Sequence, residues 1–236
     1  MNHPSGEHIV KSYDEELQRL TGEIQRMGDL ALKELEAAIA AVVERDSDAA
    51  RRIVESDAQI DELEREVSHD VIRLLALRQP MARDLREVMA ALRIASDIER
   101  IGDYAANVAK RAIALNRVEL VRPVFALPRL AELAGELVGE VLMAYHERDA
   151  DRALLAWARD EELDAMHTGL FRELLTYMME DPRNITACTH LLFMAKNIER
   201  IGDHATNIAE NVYFLVHGSE IAQARRKGDQ SHNVVG

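Results

Sequence analysis

The fold is decided by a stretch that occurs twice: residues 97–109 read DIERIGDYAANVA, and residues 197–209 read NIERIGDHATNIA. The run from Ile98 to Asp103 is identical to the run from Ile198 to Asp203. Such identity does not arise by chance in a chain of 236 residues. A second match supports the same conclusion, because RDSD at residues 45–48 corresponds to RDAD at residues 148–151. The chain therefore contains two copies of one unit.

Each copy contains three segments whose apolar residues recur at the spacing of an amphipathic helix. The segments cover about residues 13–44, 49–77 and 80–116 in the first copy, and about 130–147, 153–180 and 182–217 in the second. Only five prolines and eleven glycines occur, which leaves little sequence for long loops. Helices of this kind bury their apolar faces by packing side by side. The sequence therefore predicts an all-α fold: a tandem repeat of two three-helix bundles, with six long antiparallel helices in spectrin-repeat-like packing.

The boundaries of the two copies follow from the places where the helical pattern stops. We expect an N-terminal segment, a first repeat, a linker marked by Pro123 and Pro128, a second repeat and a polar C-terminal tail. These parts cover residues 1–12, 13–116, 117–128, 129–217 and 218–236.

The chain is acidic, with a formal net charge of −13, and 47% of its residues are hydrophobic. That hydrophobic fraction suffices for a packed core, so the acidity does not indicate a disordered chain. Nucleic acid is disfavoured as a partner, because phosphate backbones bind surfaces rich in Lys and Arg. The single cysteine, Cys188, excludes an intramolecular disulfide and a metal site built of thiolates alone. Because no apolar run reaches the roughly 18–20 residues of a membrane span and residues 1–20 lack a signal-peptide core, we expect a soluble, cytoplasmic protein.

The doubled stretch carries two carboxylates four residues apart, Glu99 and Asp103, and the second copy repeats them. This spacing places both on one face of a helix, one turn apart. A pair with the same spacing, Asp57 and Asp61, lies in the preceding segment and also recurs. If these segments are antiparallel neighbours, each copy brings two carboxylate pairs together. The candidate metal ligands are therefore Asp57, Asp61, Glu99, Asp103, Asp160, Asp164, Glu199 and Asp203.

Several interpretations of these acids stay open. Four carboxylates in one patch repel one another unless a positive charge lies between them. Cations that prefer oxygen ligands fit such a patch: iron, manganese, magnesium, zinc or calcium. Ion pairs with Arg100 and Arg200 would serve without a metal, and a solvated helix face tolerates any single pair. Gly102 and Gly202, which lie between the acids, indicate either a close approach of two helices or room for an ion.

The doubled segment, [Asp/Asn]-Ile-Glu-Arg-Ile-Gly-Asp-[Tyr/His]-Ala-x-Asn-[Val/Ile]-Ala, resembles the PhoU family of phosphate-uptake regulators over about residues 13–216. The resemblance implies two three-helix bundles with pseudo-twofold symmetry, in a cytoplasmic protein that is usually a homodimer. It also implies an accessory protein of the phosphate-specific ABC transporter, which helps to repress the phosphate-starvation response when phosphate is plentiful. The implied partners are the ATPase subunit of that transporter and a membrane sensor histidine kinase, so that membrane contact is indirect. The paired acids of the family bind multinuclear metal clusters, notably of iron, and all the candidate ligands match those pairs.

Two classes of function stay open. The first is a negative regulator of phosphate uptake that acts by protein–protein contact, with metal ions in a structural or sensing role. The second is a metal-dependent enzyme acting on phosphate compounds, which the acid pairs permit, but the sequence supplies no nucleotide loop or nucleophile elbow. A ferritin-type oxidase is disfavoured, because the second copy lacks a counterpart of the Glu66–His69 pair. We therefore expect a regulator that is not an enzyme, with His204, which replaces Tyr104, at the surface or at an interface.

Overall fold

A computed structural model describes the backbone of residues 5–222 and the side chains of residues 15–222. Within that range the chain contains helices and no β-strand, so the predicted all-α class is confirmed. The α-helices are α1 (Ser5–Val43), α2 (Ser47–Ser56), α3 (Ala58–Arg78), α4 (Arg83–Leu115), α5 (Leu127–Glu147), α6 (Ala150–Glu180) and α7 (Ile185–His217). Short 3-10 helices, Arg122–Ala126 and Pro182–Asn184, precede α5 and α7.

The second helix of the first half differs from the prediction, because it is interrupted at Asp57 and so forms α2 and α3. The carbonyl oxygen of Asp57 accepts from the amide of Ile60 at 2.9 Å and from that of Asp61 at 3.4 Å. The shorter bond spans three residues, so the chain tightens locally into a 3-10-like turn. The matching residue of the second half, Asp160, lies inside the uninterrupted helix α6.

The breaks predicted after the first helix of each half are confirmed. An aspartate at the end of each break caps the helix that follows. Asp46 accepts from the amides of the first turn of α2, and Asp149 accepts from the amide of Arg152 in α6. Both caps satisfy amides that have no partner within their helix. The residue before each cap, Arg45 or Arg148, has left-handed backbone, with φ of 57° and 56° respectively. The duplication has therefore kept the same chain reversal in both halves.

Helices α4 and α7 lie at the centre of the molecule and pack against each other as well as against the helices of their own halves. The buried apolar side chains of the two halves form one continuous cluster. Burial of each large aliphatic side chain contributes about 1.5–3 kcal/mol to stability. The third amphipathic segment predicted for the first copy forms α4, and its apolar stripe is fully buried: Ile94, Ile98, Ile101, Ala105 and Val108. The acids of α4 and α7 are consequently carried by the most firmly packed helices.

The ends of the elements differ in detail from the prediction. Helix α1 begins at Ser5, before the expected start at residue 13. The connection over residues 117–128 contains the 3-10 helix Arg122–Ala126, and its Val124 is buried. Gly218, with φ of 71°, ends α7, while residues 223–236 of the predicted polar tail lie outside the described residues. No helix within the described residues is both long enough and apolar enough to cross a membrane.

Candidate metal centres

The predicted ligands of the first half lie where α2 and α3 pack against α4, and we call them the first cluster: Asp57, Asp61, Glu99 and Asp103. The helices approach closely at this point. A Cβ atom on Gly102 would lie 2.8 Å from Ile60 Cδ1 and 3.3 Å from Asp57 Oδ1. The missing side chain at residue 102 therefore lets the carboxylate of Asp57 lie against α4, which supports the interpretation of Gly102 as a site of close helix approach.

The carboxylates of the first cluster act on one another across the helices. Burial raises the pKa of Asp57, and the negative charges of Asp103 and Asp61 raise it further against the opposing effect of Lys110. The pKa of Glu99 is also raised, first by burial and then by Asp103, while Arg100 opposes the shift. A raised pKa in an acid means that the folded protein disfavours its charged form. The cluster therefore holds more negative charge than its surroundings stabilise.

The alternative of ion pairing without a metal is realised in part by Arg100. This side chain lies 3.3 Å from Glu99 Oε2 and 3.1 Å from Asp103 Oδ2. More than half of the Arg100 side chain is exposed, and pairs of this kind contribute little to stability. Its counterpart, Arg200, stacks instead over the ring of Tyr104, 5.7 Å from the ring centre. The two arginines thus have different roles in the two halves.

The predicted ligands of the second half lie on α6 and α7, and we call them the second cluster: Asp160, Asp164, Glu199 and Asp203. Asp160, Asp164 and Glu199 are more deeply buried than their counterparts in the first half. A Cβ atom on Gly202 would overlap Leu163 Cδ2 and lie 2.8 Å from Asp160 Oδ1. The ammonium of Lys196 donates to Glu199 Oε1 at 2.8 Å. The second cluster is therefore more enclosed than the first, and it contains a positively charged side chain, that of Lys196.

Glu34 of α1 is a further acid of this region that the sequence pattern did not single out. Burial raises its pKa to about 7; a hydrogen bond from Ser56 opposes the shift, and the charges of Asp57 and Asp61 add to it. A signal was present in the sequence, because Glu34 lies among the core-facing positions of α1, beside the buried Leu35. An acid at such a position is unusual unless it has a partner.

The geometry of the clusters is not that of a preformed metal site. Among the side chains of residues 15–222, no three from His, Cys, Asp and Glu lie in an arrangement that could hold a metal ion. The chemistry of the first cluster nevertheless fits an oxygen-preferring cation, since its donors are carboxylates that a cation would relieve of their mutual repulsion. Binding at either cluster would require the side chains to rotate towards a common centre.

His204 lies partly buried at the contact between α4 and α7 within the chain. Its Nδ1 atom is 2.8 Å from Asp97 Oδ1, and its ring centre is 5.6 Å from that of Tyr104. The same carboxylate oxygen accepts from the side-chain amide of Asn207 at 3.2 Å. His204 therefore helps to join the two halves and is not part of the second cluster.

Comparisons with protein families, with similar sequences and with solved structures all indicate the same family. The PhoU domain matches residues 24–112 and 127–212 of the chain. A relative from Xylella fastidiosa strain 9a5c, named "Phosphate-specific transport system accessory protein PhoU homolog", is 58% identical and covers 99% of both chains. A relative of the same name from Caulobacter vibrioides strain NA1000 / CB15N is 51% identical, over 94% of this chain and 97% of its own.

Two solved structures share the fold. The crystal structure of PhoU from Pseudomonas aeruginosa has a TM-score of 0.85 and 38% identity, and the match covers 88% of this chain and all of that one. The phosphate transport system regulatory protein PhoU from Streptococcus pneumoniae has a TM-score of 0.83 and 28% identity, with 89% of this chain and all of that one covered. The duplicated helices, the doubled acid motif and these matches lead to one conclusion: the chain belongs to the PhoU family.

Proposed function

We propose that this protein is an accessory regulator of phosphate transport. The observation that carries the proposal is the match to relatives named as phosphate-specific transport system accessory proteins, one of them 58% identical over 99% of the chain. Such coverage leaves no part of the described fold outside the comparison. The doubled motif of α4 and α7 supports the same assignment, because it lies at the centre of the shared structure.

In its finer form, the proposal is that the protein acts in the cytoplasm as a homodimer and represses phosphate uptake and the phosphate-starvation response. It would do so by protein–protein contact, linking the ATPase subunit of the phosphate ABC transporter to a membrane sensor histidine kinase. Large apolar side chains exposed near the helix connections support such contacts: Leu77 near the end of α3, Met81 before α4, Met179 near the end of α6 and Ile185 at the start of α7. Exposed apolar side chains of this size are suited to docking against partner proteins.

The proposal includes cation binding at the first and second clusters, with iron foremost and zinc, manganese, magnesium or calcium as alternatives. When bound, the cation would supply positive charge between carboxylates that otherwise repel one another. Asp57 would hold it from the junction of α2 and α3, Asp61 from α3, and Glu99 and Asp103 from α4. The acids of the second cluster would do the same between α6 and α7: Asp160, Asp164, Glu199 and Asp203. The ion would thereby tie neighbouring helices together, which is a structural or sensing role.

The regulatory role is tested by deleting the gene in its own host and measuring a reporter of phosphate-responsive expression in phosphate-rich medium. We expect expression to rise in the deletion strain and to return to its former level when the intact gene is restored. A reporter that stays repressed after the deletion would overturn the assignment as a repressor. In parallel, the full chain carrying an affinity tag should capture the transporter ATPase subunit, and a Met81→Glu plus Met179→Glu variant should capture less of it.

A further inference from the structure

The carboxylate of Glu34 is buried, and only one of its two oxygens has a hydrogen-bond partner. Its side chain lies on α1 and is 8% exposed. Ser56 Oγ lies 2.9 Å from Glu34 Oε1, but the same hydroxyl also lies 2.9 Å from the carbonyl oxygen of Ile53. One hydroxyl hydrogen cannot satisfy both acceptors at once. The second oxygen, Oε2, is buried and has no hydrogen-bond partner.

The surroundings of this carboxylate are acidic. Asp57 and Asp61, both of the first cluster, are the charged groups that act on Glu34 most strongly, and both disfavour its charged form. A buried carboxylate without a partner is costly, and further negative charge close by makes it more so. A cation would satisfy the unpartnered oxygen of Glu34 and, at the same time, balance the negative charges of Asp57 and Asp61.

The second half has no equivalent of this acid. The duplication places Leu137 of α5 at the position of Glu34, and that leucine is 1% exposed. The charged side chains around the second cluster also differ from those around the first. Lys196 replaces Ser96 and donates to Glu199, while the buried His167 replaces Glu64. The first half therefore carries two acids and a serine where the second half carries an apolar side chain, an imidazole and an ammonium group.

We propose that Glu34 is an additional ligand of a hard divalent cation at the first cluster, which makes this site tighter for such ions than the second cluster. The proposal rests on the cation binding included in the proposed function. Glu34 would approach the ion from α1, so that the ion joins α1, the α2–α3 junction and α4. At the second cluster an incoming hard cation must compete with the ammonium of Lys196 for Glu199, which weakens binding there. Asp57, Asp61 and Glu99 are only partly buried, which leaves them room to rotate towards the ion.

The test measures binding of Mn²⁺ to the full chain after treatment with a chelator, by titration calorimetry and by the EPR signal of the free ion. We expect two classes of site, with the tighter class removed by Asp61→Asn and the weaker class removed by Asp164→Asn. Glu34→Gln should weaken the tighter class about ten- to a hundredfold, and Glu34→Asp should weaken it less. Glu36→Gln is the matched control, because Glu36 lies on the same helix with its side chain exposed, and it should leave both classes unchanged.

A converse variant tests the asymmetry, since Lys196→Ser should tighten the weaker class. Far-UV circular dichroism of each variant shows whether it is folded, and Glu34→Asp decides the question if Glu34→Gln does not fold. An unchanged affinity of the tighter class in folded Glu34→Gln or Glu34→Asp overturns the role of Glu34 alone. An intact chain that binds no Mn²⁺ overturns this inference together with the proposed cation sites, while the gene-deletion result for the regulatory role stands apart from both.

Discussion

Replacement of Gly202 by alanine tests the close approach of α6 and α7 directly. In an open position of a helix, alanine is favoured over glycine by about 1 kcal/mol. At residue 202 the new Cβ atom would overlap Leu163 Cδ2 and lie 2.8 Å from Asp160 Oδ1. Both neighbours are buried, so neither can move into solvent. Overpacking of this kind costs about 1–3 kcal/mol.

The net effect expected for Gly202→Ala is therefore a loss of about 1 kcal/mol, which lowers Tm by about 2–4 °C in a chain of this size. Gly169→Ala is the matched control, because Gly169 is exposed in α6 and a Cβ atom there meets nothing within 4 Å. The control should raise Tm, by about 2–4 °C if it gains the full 1 kcal/mol. Gly102→Ala should fall between the two, since its Cβ atom would meet Asp57 at a longer distance and Asp57 is only partly buried.

The assay is thermal unfolding of the three variants and the parent, followed by circular dichroism and calorimetry in buffer with a chelator. The chelator separates the effect of packing from any effect of bound ions. The sign of the change carries the result, because Gly202→Ala and Gly169→Ala should shift Tm in opposite directions. If Gly202→Ala raises Tm as much as the control does, the helices are not as close as the structure places them, and the packing argument is wrong.

Two further measurements test the helix cap and the electrostatics of the bundle. Asp149→Ala removes the acceptor for the amide of Arg152 and should cost about 1 kcal/mol, whereas Asp149→Asn should retain most of the stability. Burial raises the pKa of Glu23, so the stability that its neutral form contributes is present below the ordinary pKa of a glutamate and is lost as the pH rises through the raised pKa. Glu23→Gln should therefore gain in Tm over the parent as the pH rises above the ordinary pKa of a glutamate, and an advantage that shrinks over this rise would contradict the argument.

Much of the fold follows from the sequence because its determinants are local and periodic. The stripe from Ile94 to Val108 is predicted from helical spacing alone, and every member of it is buried. The breaks after α1 and α5 are predicted where the helical pattern stops, and Asp46 and Asp149 cap the helices that follow. Period and capping are properties of neighbouring residues, so a single sequence suffices to recognise them.

The surroundings of the acid clusters were less predictable, because they depend on contacts between distant residues. The charges of Asp57 and Asp61 act on Glu34 of α1, and only the packing of α1 against α2 and α3 reveals this. The interruption at Asp57 was also missed, since a single 3-10-like turn leaves the apolar spacing on either side almost unchanged. The motif identifies the acids, but the side chains that surround them and determine the local balance of charge lie outside the motif.

The two halves show how a duplication can preserve a framework while its chemistry diverges. At the contact between α4 and α7, Asp97 accepts from Asn207 and pairs with His204, whereas the matching positions of the other half hold Asn197 and Tyr104. The pair formed by Asp97 and His204 thus includes a carboxylate, whereas Asn197 and Tyr104 at the matching positions are uncharged and Arg200 stacks over the Tyr104 ring. The acid clusters also differ in charge, because Lys196 lies beside the second cluster and the acid Glu34 lies beside the first. Packing constrains the apolar stripes of both helices equally, but it does not constrain the charges at their edges, so the side chains around the two clusters were free to diverge.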